Sequence, residues 1–149
     1  MGQKRLSKLQ HADSFRDLVV YQKAIGVAQI VFEQSKKFPA EERYSLTDQI
    51  RRSSRSIGAQ IAEAWGKRRY QKHFLSKLTD ADAEQMETQH WISVADSCKY
   101  IDNATAAELS GELLEIGRML QSMMTNAKSF CDADPNSVRE ELTDYFESG

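Results

Sequence analysis

The sequence predicts an all-α fold, an up-and-down antiparallel four-helix bundle, and three observations carry that expectation. Seven glycines and two prolines are spread over 149 residues, too few breakers for a strand-rich chain with its frequent turns. Apolar residues recur at alternating three- and four-residue steps through four segments, the period of one face of a helix. No run of alternating β-branched residues competes with that reading.

The first helix is expected from about Asp17 to Lys37, opened by the pattern Ser14-Phe15-Arg16-Asp17, in which an acid stands three residues after a capping hydroxyl. Leu18, Tyr21, Ile25, Ala28 and Phe32 form its core stripe, with Val20, Ala24, Val27 and Val31 as a second stripe beside it. Phe38-Pro39 ends it, since proline disfavours helical geometry in the residue before it. Ser45 is the expected cap of a second helix, roughly Leu46 to Trp65, with Leu46, Ile50, Ile57, Ile61 and Trp65 on the buried face. At about 100° per residue, Arg51, Arg52 and Arg55 fall in an arc nearly opposite that face. Gly66 to Arg69 make the next turn.

The third helix spans about Tyr70 to Ile101. One of its faces carries Phe74, Leu78, Ala81, Gln85, Thr88, Ile92 and Ala95, and another Trp91, Val94, Cys98 and Ile101. Thr105-Ala106-Ala107-Glu108 reads as a capping box opening the fourth. There Leu109, Leu113, Ile116, Leu120, Met123, Ala127 and Phe130 keep the seam spacing of a left-handed bundle. Connections this short make sequential helices antiparallel neighbours. The expected organisation is a disordered basic arm over 1–13, the bundle over 14–131 and an acidic tail over 132–149. Helices one and three are apolar on two sides, which a monomeric bundle does not require. Val20, Val27, Val31 and the Trp91–Ile101 stripe are therefore expected to pack partly against another subunit.

Composition, 40% hydrophobic and 28% charged, is that of a soluble globule. No apolar run approaches the roughly 20 residues that cross a bilayer, and the polar N-terminus lacks the apolar core of a signal peptide. Cys98 and Cys131 are far apart, without the spacing of a metal or redox motif, as in a reduced cytoplasmic protein. The net charge of −2 conceals an asymmetry. Residues 1–75 hold 15 lysines and arginines against 7 acids, a net of +8, and residues 76–149 hold 5 against 15, a net of −10. Such halves suit complementarity within or between subunits, or a basic face for a polyanion.

The stretch Phe15-Arg16-Asp17-Leu18-Val19-Val20-Tyr21-Gln22-Lys23-Ala24 resembles the opening of the four-helix-bundle family of 23S ribosomal RNA intervening-sequence proteins. Similar residues continue in order: Phe38-Pro39 and Glu42, Tyr44 to Arg52, Ser56-Ile57, Ile61-Ala62-Glu63, Gly66 and Arg68, Phe74 and Leu78, Glu87-Thr88-Gln89, Tyr100-Ile101 and Arg118-Met119-Leu120. The resemblance covers about residues 15–130. It implies bacterial bundles that assemble as ring-like homopentamers, some encoded within 23S ribosomal RNA genes, described as candidate nucleic-acid binders with no established reaction. Gln60, Ala64 and Asp82-Ala83-Glu84 depart from the family's usual Asn, Gly and Gly-Ser.

The chemistry-bearing patterns are few. Glu87-Thr88-Gln89-His90 supplies one Glu-x-x-His, whereas a di-iron bundle needs two plus further carboxylates, so no metal is expected. Neither cysteine has an adjacent histidine, and no Gly-x-Ser-x-Gly turn or phosphate-binding glycine loop occurs. The expectation is a protein that is not an enzyme, with no catalytic residues, no cofactor and no small-molecule substrate. Glu63, between Ile61 and Trp65, is either an exposed acid or a buried one paired with Arg68. Two basic groups are the functional candidates: Arg51, Arg52 and Arg55 on the second helix, and Lys67, Arg68, Arg69 and Lys72 around Tyr70. Guanidinium forks grip phosphates, and an aromatic among them can stack on an unpaired base. The expected function is a homo-oligomeric nucleic-acid binder, RNA before DNA. The alternative is an interaction scaffold whose basic face meets an acidic partner or subunit.

Overall fold

A computed structural model describes residues 12–131. Apart from Ala12 and Asp13, the expected basic arm and acidic tail lie outside the described residues. Among the described residues there is no strand, and four long helices build the fold: α1 (Val19–Ser35), α2 (Asp48–Gly66), α3 (Gln71–Ser97) and α4 (Asn103–Thr125), followed by the single turn α5 (Ala127–Phe130). Each long helix packs on two others, in the cyclic order α1, α2, α3, α4 and back to α1.

Cross-helix pairs fix the directions. Arg51 of α2 meets Ser35 at the end of α1, while Gly58 further along lies under Tyr21 and Ile25 near the start of α1. Ser53 of α2 faces Thr88 and Gln60 faces Lys77. Gln85 of α3 lies against Gly117 of α4, and Thr79 against Met124. Partner numbers fall as the others rise in every pair, so all three neighbours run antiparallel, as the short links dictate.

The core forms where the sequence periodicity places it. Ile50, Ile57, Ile61, Phe74, Leu78, Ile92, Leu113, Ile116 and Leu120 are each at most 2% exposed. Burying side chains of this size contributes about 1.5–3 kcal/mol apiece before entropy is counted. Gln85 and Thr88 share the buried face of α3, and Thr88 Oγ1 is satisfied 3.0 Å from Ser53 Oγ and 2.8 Å from the Glu84 carbonyl. The ring of Phe74 stacks on Phe130 of α5, centroids 5.9 Å apart.

In α1 the two apolar stripes exchange roles. Val20, Ala24, Val27 and Val31 are the buried face, while Tyr21, Ala28 and Phe32 are half-buried and Ile25 is 49% exposed. The compact valines and alanine fill the inner groove, and the larger side chains flank it, Tyr21 and Ile25 over the side-chain-free surface of Gly58. The expectation that Val20, Val27 and Val31 face another subunit is therefore overturned: they are 3, 2 and 1% exposed within one chain. Trp91 and Val94 likewise pack half-buried on the same core, and Ile101 is buried in it.

Boundaries shift where local hydrogen bonding differs from the expected cap. Ser14 and Asp17 do form a capping box, but on a 3₁₀ turn, Phe15–Asp17, and α1 begins only at Val19. Ser45 caps nothing: it sits in a π-helical turn, Arg43–Thr47, that runs directly into α2. At the start of α4 the cap is Asp102, whose carboxylate accepts from the Thr105 amide at 2.7 Å, instead of Thr105 itself. Four residues before Ile101, α3 ends at Ser97 because Lys99 adopts left-handed geometry (φ 61°). The Tyr100 amide then bonds the Ala95 carbonyl at 2.9 Å and the Lys99 amide bonds Asp96 at 3.0 Å, the Schellman pattern with lysine where glycine is usual. Finally, the α4 seam is not continuous to Phe130; it breaks at Asn126 before α5 resumes.

Candidate nucleic-acid interface

Helix α2 places Arg51 and Arg55 one turn apart on the flank that faces α1. The Arg51 guanidinium lies 4.9 Å and the Arg55 guanidinium 5.3 Å from the centroid of Phe32, and the Lys36 ammonium lies 4.7 Å from the same ring. Arg51 is also fixed by its Nε, which donates to Ser35 Oγ at 2.7 Å. The electron-rich face of the ring holds the cations in place at about 0.5–2 kcal/mol each without neutralising them. Among the described residues neither guanidinium forms an ion pair with a carboxylate; Lys36 does, with Glu33 at 3.3 Å.

Arg52 points the other way. It pairs with Glu87 and lies 3.7 Å from Glu84, both on α3. Glu87 also accepts from Trp91 Nε1 at 3.3 Å. The helical arc that groups three arginines in sequence is thus divided by the two neighbours of α2. Burial pushes the Glu84 carboxyl above its usual range, and Arg52 offsets part of that rise. On α1, Lys23 bonds both Glu112 and Glu115 of α4 at 3.2 Å, and these two hydrogen bonds hold its ammonium above the ordinary lysine range. Part of the charge asymmetry between the halves is therefore satisfied inside one chain.

The second basic group surrounds the α2–α3 turn. Twelve residues separate Arg55 from Lys67, about 18 Å at 1.5 Å per residue, so the two groups occupy different ends of α2. Lys67 is exposed. Arg68 lies flat on Trp65, 3.6 Å from its centroid, with its Nε donating to the Trp65 carbonyl at 2.8 Å. Arg69 sits 5.6 Å from the Tyr70 ring, which also meets His73 at 5.5 Å. Lys72 is exposed on the first turn of α3. Lys67, His73, Ser76 and Lys77 line a shallow depression beside them. Glu63 is 54% exposed and pairs with Lys77 at 2.8 Å; it is neither buried nor paired with Arg68, which is committed to Trp65. The Lys77 ammonium holds the Glu63 carboxyl below its usual range.

Two contributors are missing from the sequence reading. Phe32 has the spacing of a core residue, yet it is the floor of the Arg51–Arg55 pair. Tyr44, next to Arg43, is 73% exposed; the signal for it was an aromatic and a cation side by side ahead of a helix. His90 rests on the Trp91 ring, centroids 4.7 Å apart. Among the described residues no group of three or more His, Cys, Asp or Glu is placed to hold a metal ion, and no helix is long and apolar enough to cross a membrane.

Fold and surface together define a class: an antiparallel bundle of four long helices that presents cations at both ends of its second helix. Within that class, the chain belongs to the 23S rRNA-intervening sequence protein family, whose model matches residues 16–122. A crystal structure of a protein of unknown function from the S23 ribosomal protein family of Bacteroides thetaiotaomicron is similar, with a TM-score of 0.65 and 29% identity, covering 71% of this chain and 98% of that one. Curated proteins gave no match.

Proposed function

We propose that this protein is a non-catalytic, cytoplasmic, homo-oligomeric bundle that binds RNA through phosphate contacts, with Arg51 and Arg55 as the principal grip. The observation that carries the reading is that these two guanidiniums are held at one ring, Phe32, with no carboxylate among the described residues bound to either. A guanidinium oriented by a ring keeps its forked donors available for phosphate oxygens. Lys67, Arg68, Arg69, Lys72 and Tyr70 form the second contact region of this reading, and Arg52, already bound to two carboxylates, contributes least. Such contacts read charge and shape, not base sequence.

Fluorescence anisotropy of a labelled single-stranded RNA at several salt concentrations tests this. Each phosphate neutralised contributes a log–log slope of about −0.7, so four contacts give roughly −3. The Arg51→Gln/Arg55→Gln variant should flatten that slope by about 1.4 while far-UV circular dichroism stays unchanged. An unaltered slope would remove the grip from these residues.

A specific observation favours assembly as well. Val19 at the start of α1 is 39% exposed, and with Met119 and Met123 of α4 and Phe130 of α5 it lines an open apolar groove between α1 and α4. We assign the subunit contact to this α1/α4 side, within the ring-like homopentamer that the family resemblance implies. Val19→Glu/Met119→Glu should reduce the mass seen by light scattering without loss of helicity. A scaffold for an acidic protein is the competing reading; it expects the arginine variant to alter assembly or partner capture and to leave RNA affinity weak in both proteins.

A further inference from the structure

We propose that Tyr44, on the π-helical turn ahead of α2, is a platform on which an unpaired base of the bound strand stacks. The inference rests on the RNA-binding reading and deepens it by naming where a base, as distinct from a phosphate, is held.

Tyr44 is 73% exposed, above Met86 at 57% and Ile25 and Leu114 at 49%. The Arg43 guanidinium lies 5.4 Å from the ring centroid, and at that exposure the rest of the ring is open to solvent. The mount beneath it is rigid. Leu46 and Thr47, in the same turn, are buried at 2% and 9% exposure. The preceding Phe38 packs on Tyr100, centroids 5.6 Å apart. The Tyr100 hydroxyl is held above its usual range first by burial and then by Glu42. A ring displayed outward from an anchored turn loses little conformational freedom when a base covers it.

The α1–α2 connection links the ring to the phosphate grip. Tyr44 lies in the turn that ends this connection, at the end of the bundle where Arg51 bonds Ser35 and where Lys36 and Arg51 share the Phe32 ring. A strand tracking the arginines would bring a base across Tyr44. Lys36 and Lys37 are exposed on the same connection, with Glu41, Glu42 and Asp48 as the opposing acids; Glu42 is partly engaged by Tyr100. Tyr70, the aromatic singled out from sequence, is half-buried and already in contact with Arg69 and His73. It offers less open ring.

The test is anisotropy titration of labelled single-stranded oligouridine and of a duplex RNA of equal length, with sizing of every variant. Tyr44→Ala should weaken oligouridine binding by about fivefold to 150-fold, the 1–3 kcal/mol of one stacked base. Duplex affinity should hold, because its bases are not available, and Tyr44→Phe should bind like the parent protein. Tyr70→Ala should change less than Tyr44→Ala. If Tyr44→Ala keeps full oligouridine affinity while Arg51→Gln/Arg55→Gln loses it, the stacking assignment is overturned and the phosphate grip stands. Should the parent protein bind neither RNA, both fall together. A Tyr44→Ala protein that changes oligomer mass instead of RNA affinity would make this ring a protein contact and overturn the proposal.

Discussion

Gly117 of α4 is where α3 and α4 approach most tightly among the glycines of the described bundle. A β-carbon there would lie 3.0 Å from Gln85 Nε2 and 3.5 Å from Asp82 Oδ1. Gln85 cannot yield easily: it is 3% exposed, its Nε2 donates to Asp82 Oδ1 at 2.9 Å, and its Oε1 accepts from Gln89 at 2.6 Å. Gly111, six residues earlier on the same helix, has nothing within 4 Å of the equivalent position. Glycine to alanine in a helix gains about 0.8–1 kcal/mol, so Gly111→Ala should stabilise by about that amount. In Gly117→Ala the same gain is opposed by displacement of a buried amide from its partner, about 1–3 kcal/mol. The net expectation is destabilisation by about 1 kcal/mol, leaving the two variants about 2 kcal/mol apart. Urea unfolding followed by circular dichroism at one protein concentration measures both. Shortening the obstacle isolates the cause: in a Gln85→Ala background, Gly117→Ala should become as favourable as Gly111→Ala. If Gly117→Ala stabilises the parent protein as much as Gly111→Ala does, the close approach is refuted.

Lys99→Gly should stabilise by about 0.5–1 kcal/mol in the same assay, since a lysine side chain is strained at φ 61° and glycine is not; a loss of stability would contradict the left-handed cap. Glu84 and Glu63 should give opposite pH trends. Burial holds the folded-state carboxyl of Glu84 above the usual carboxylate range, so its contribution is full at acid pH and is lost as pH rises through that raised value. Glu84→Gln should therefore gain on the parent protein from acid to neutral pH. Glu63 is held below 4.5, chiefly by Lys77; its contribution is present above that pH and lost on acidification, so Glu63→Gln should lose ground toward neutrality. Parallel trends for the two variants would refute one of the pairings.

Helix number, order and most of the core were legible because each depends on spacing alone. Leu109, Leu113, Ile116 and Leu120 have no second apolar face competing for burial. In α1 two apolar stripes lie side by side; the compact valine and alanine stripe turns inward, while Tyr21 and Ile25 of the larger one lie over Gly58 of α2. The end of α3 was hidden because no glycine marks it; Lys99 takes the left-handed position against its intrinsic preference, while Tyr100 and Ile101 pack onto the core. Asp102 outcompetes Thr105 as a cap because a carboxylate accepts a backbone N–H more strongly than a hydroxyl does. At the surface, sequence fixes which cations share a helix but not which carboxylates reach them. Arg52 differs from its neighbours Arg51 and Arg55 only because Glu84 and Glu87 happen to stand opposite it on α3.

The unequal links of the bundle carry a consequence for how the chain reaches its native state. Only Lys67 to Tyr70 separate α2 from α3, and Cys98 to Asp102 separate α3 from α4, so these hairpins close small loops at little entropic cost. Bringing α1 against α4 closes a loop that spans almost the whole bundle. The α2–α3 hairpin, with the Ser53–Thr88 bond and the Phe74–Leu78 surface at its centre, is then the expected nucleus, and α1 docks late. Substitutions at Ile57 or Leu78 should slow folding, whereas Val27→Ala should mainly accelerate unfolding. Hydrogen exchange should likewise find α1 the first of the four long helices to open.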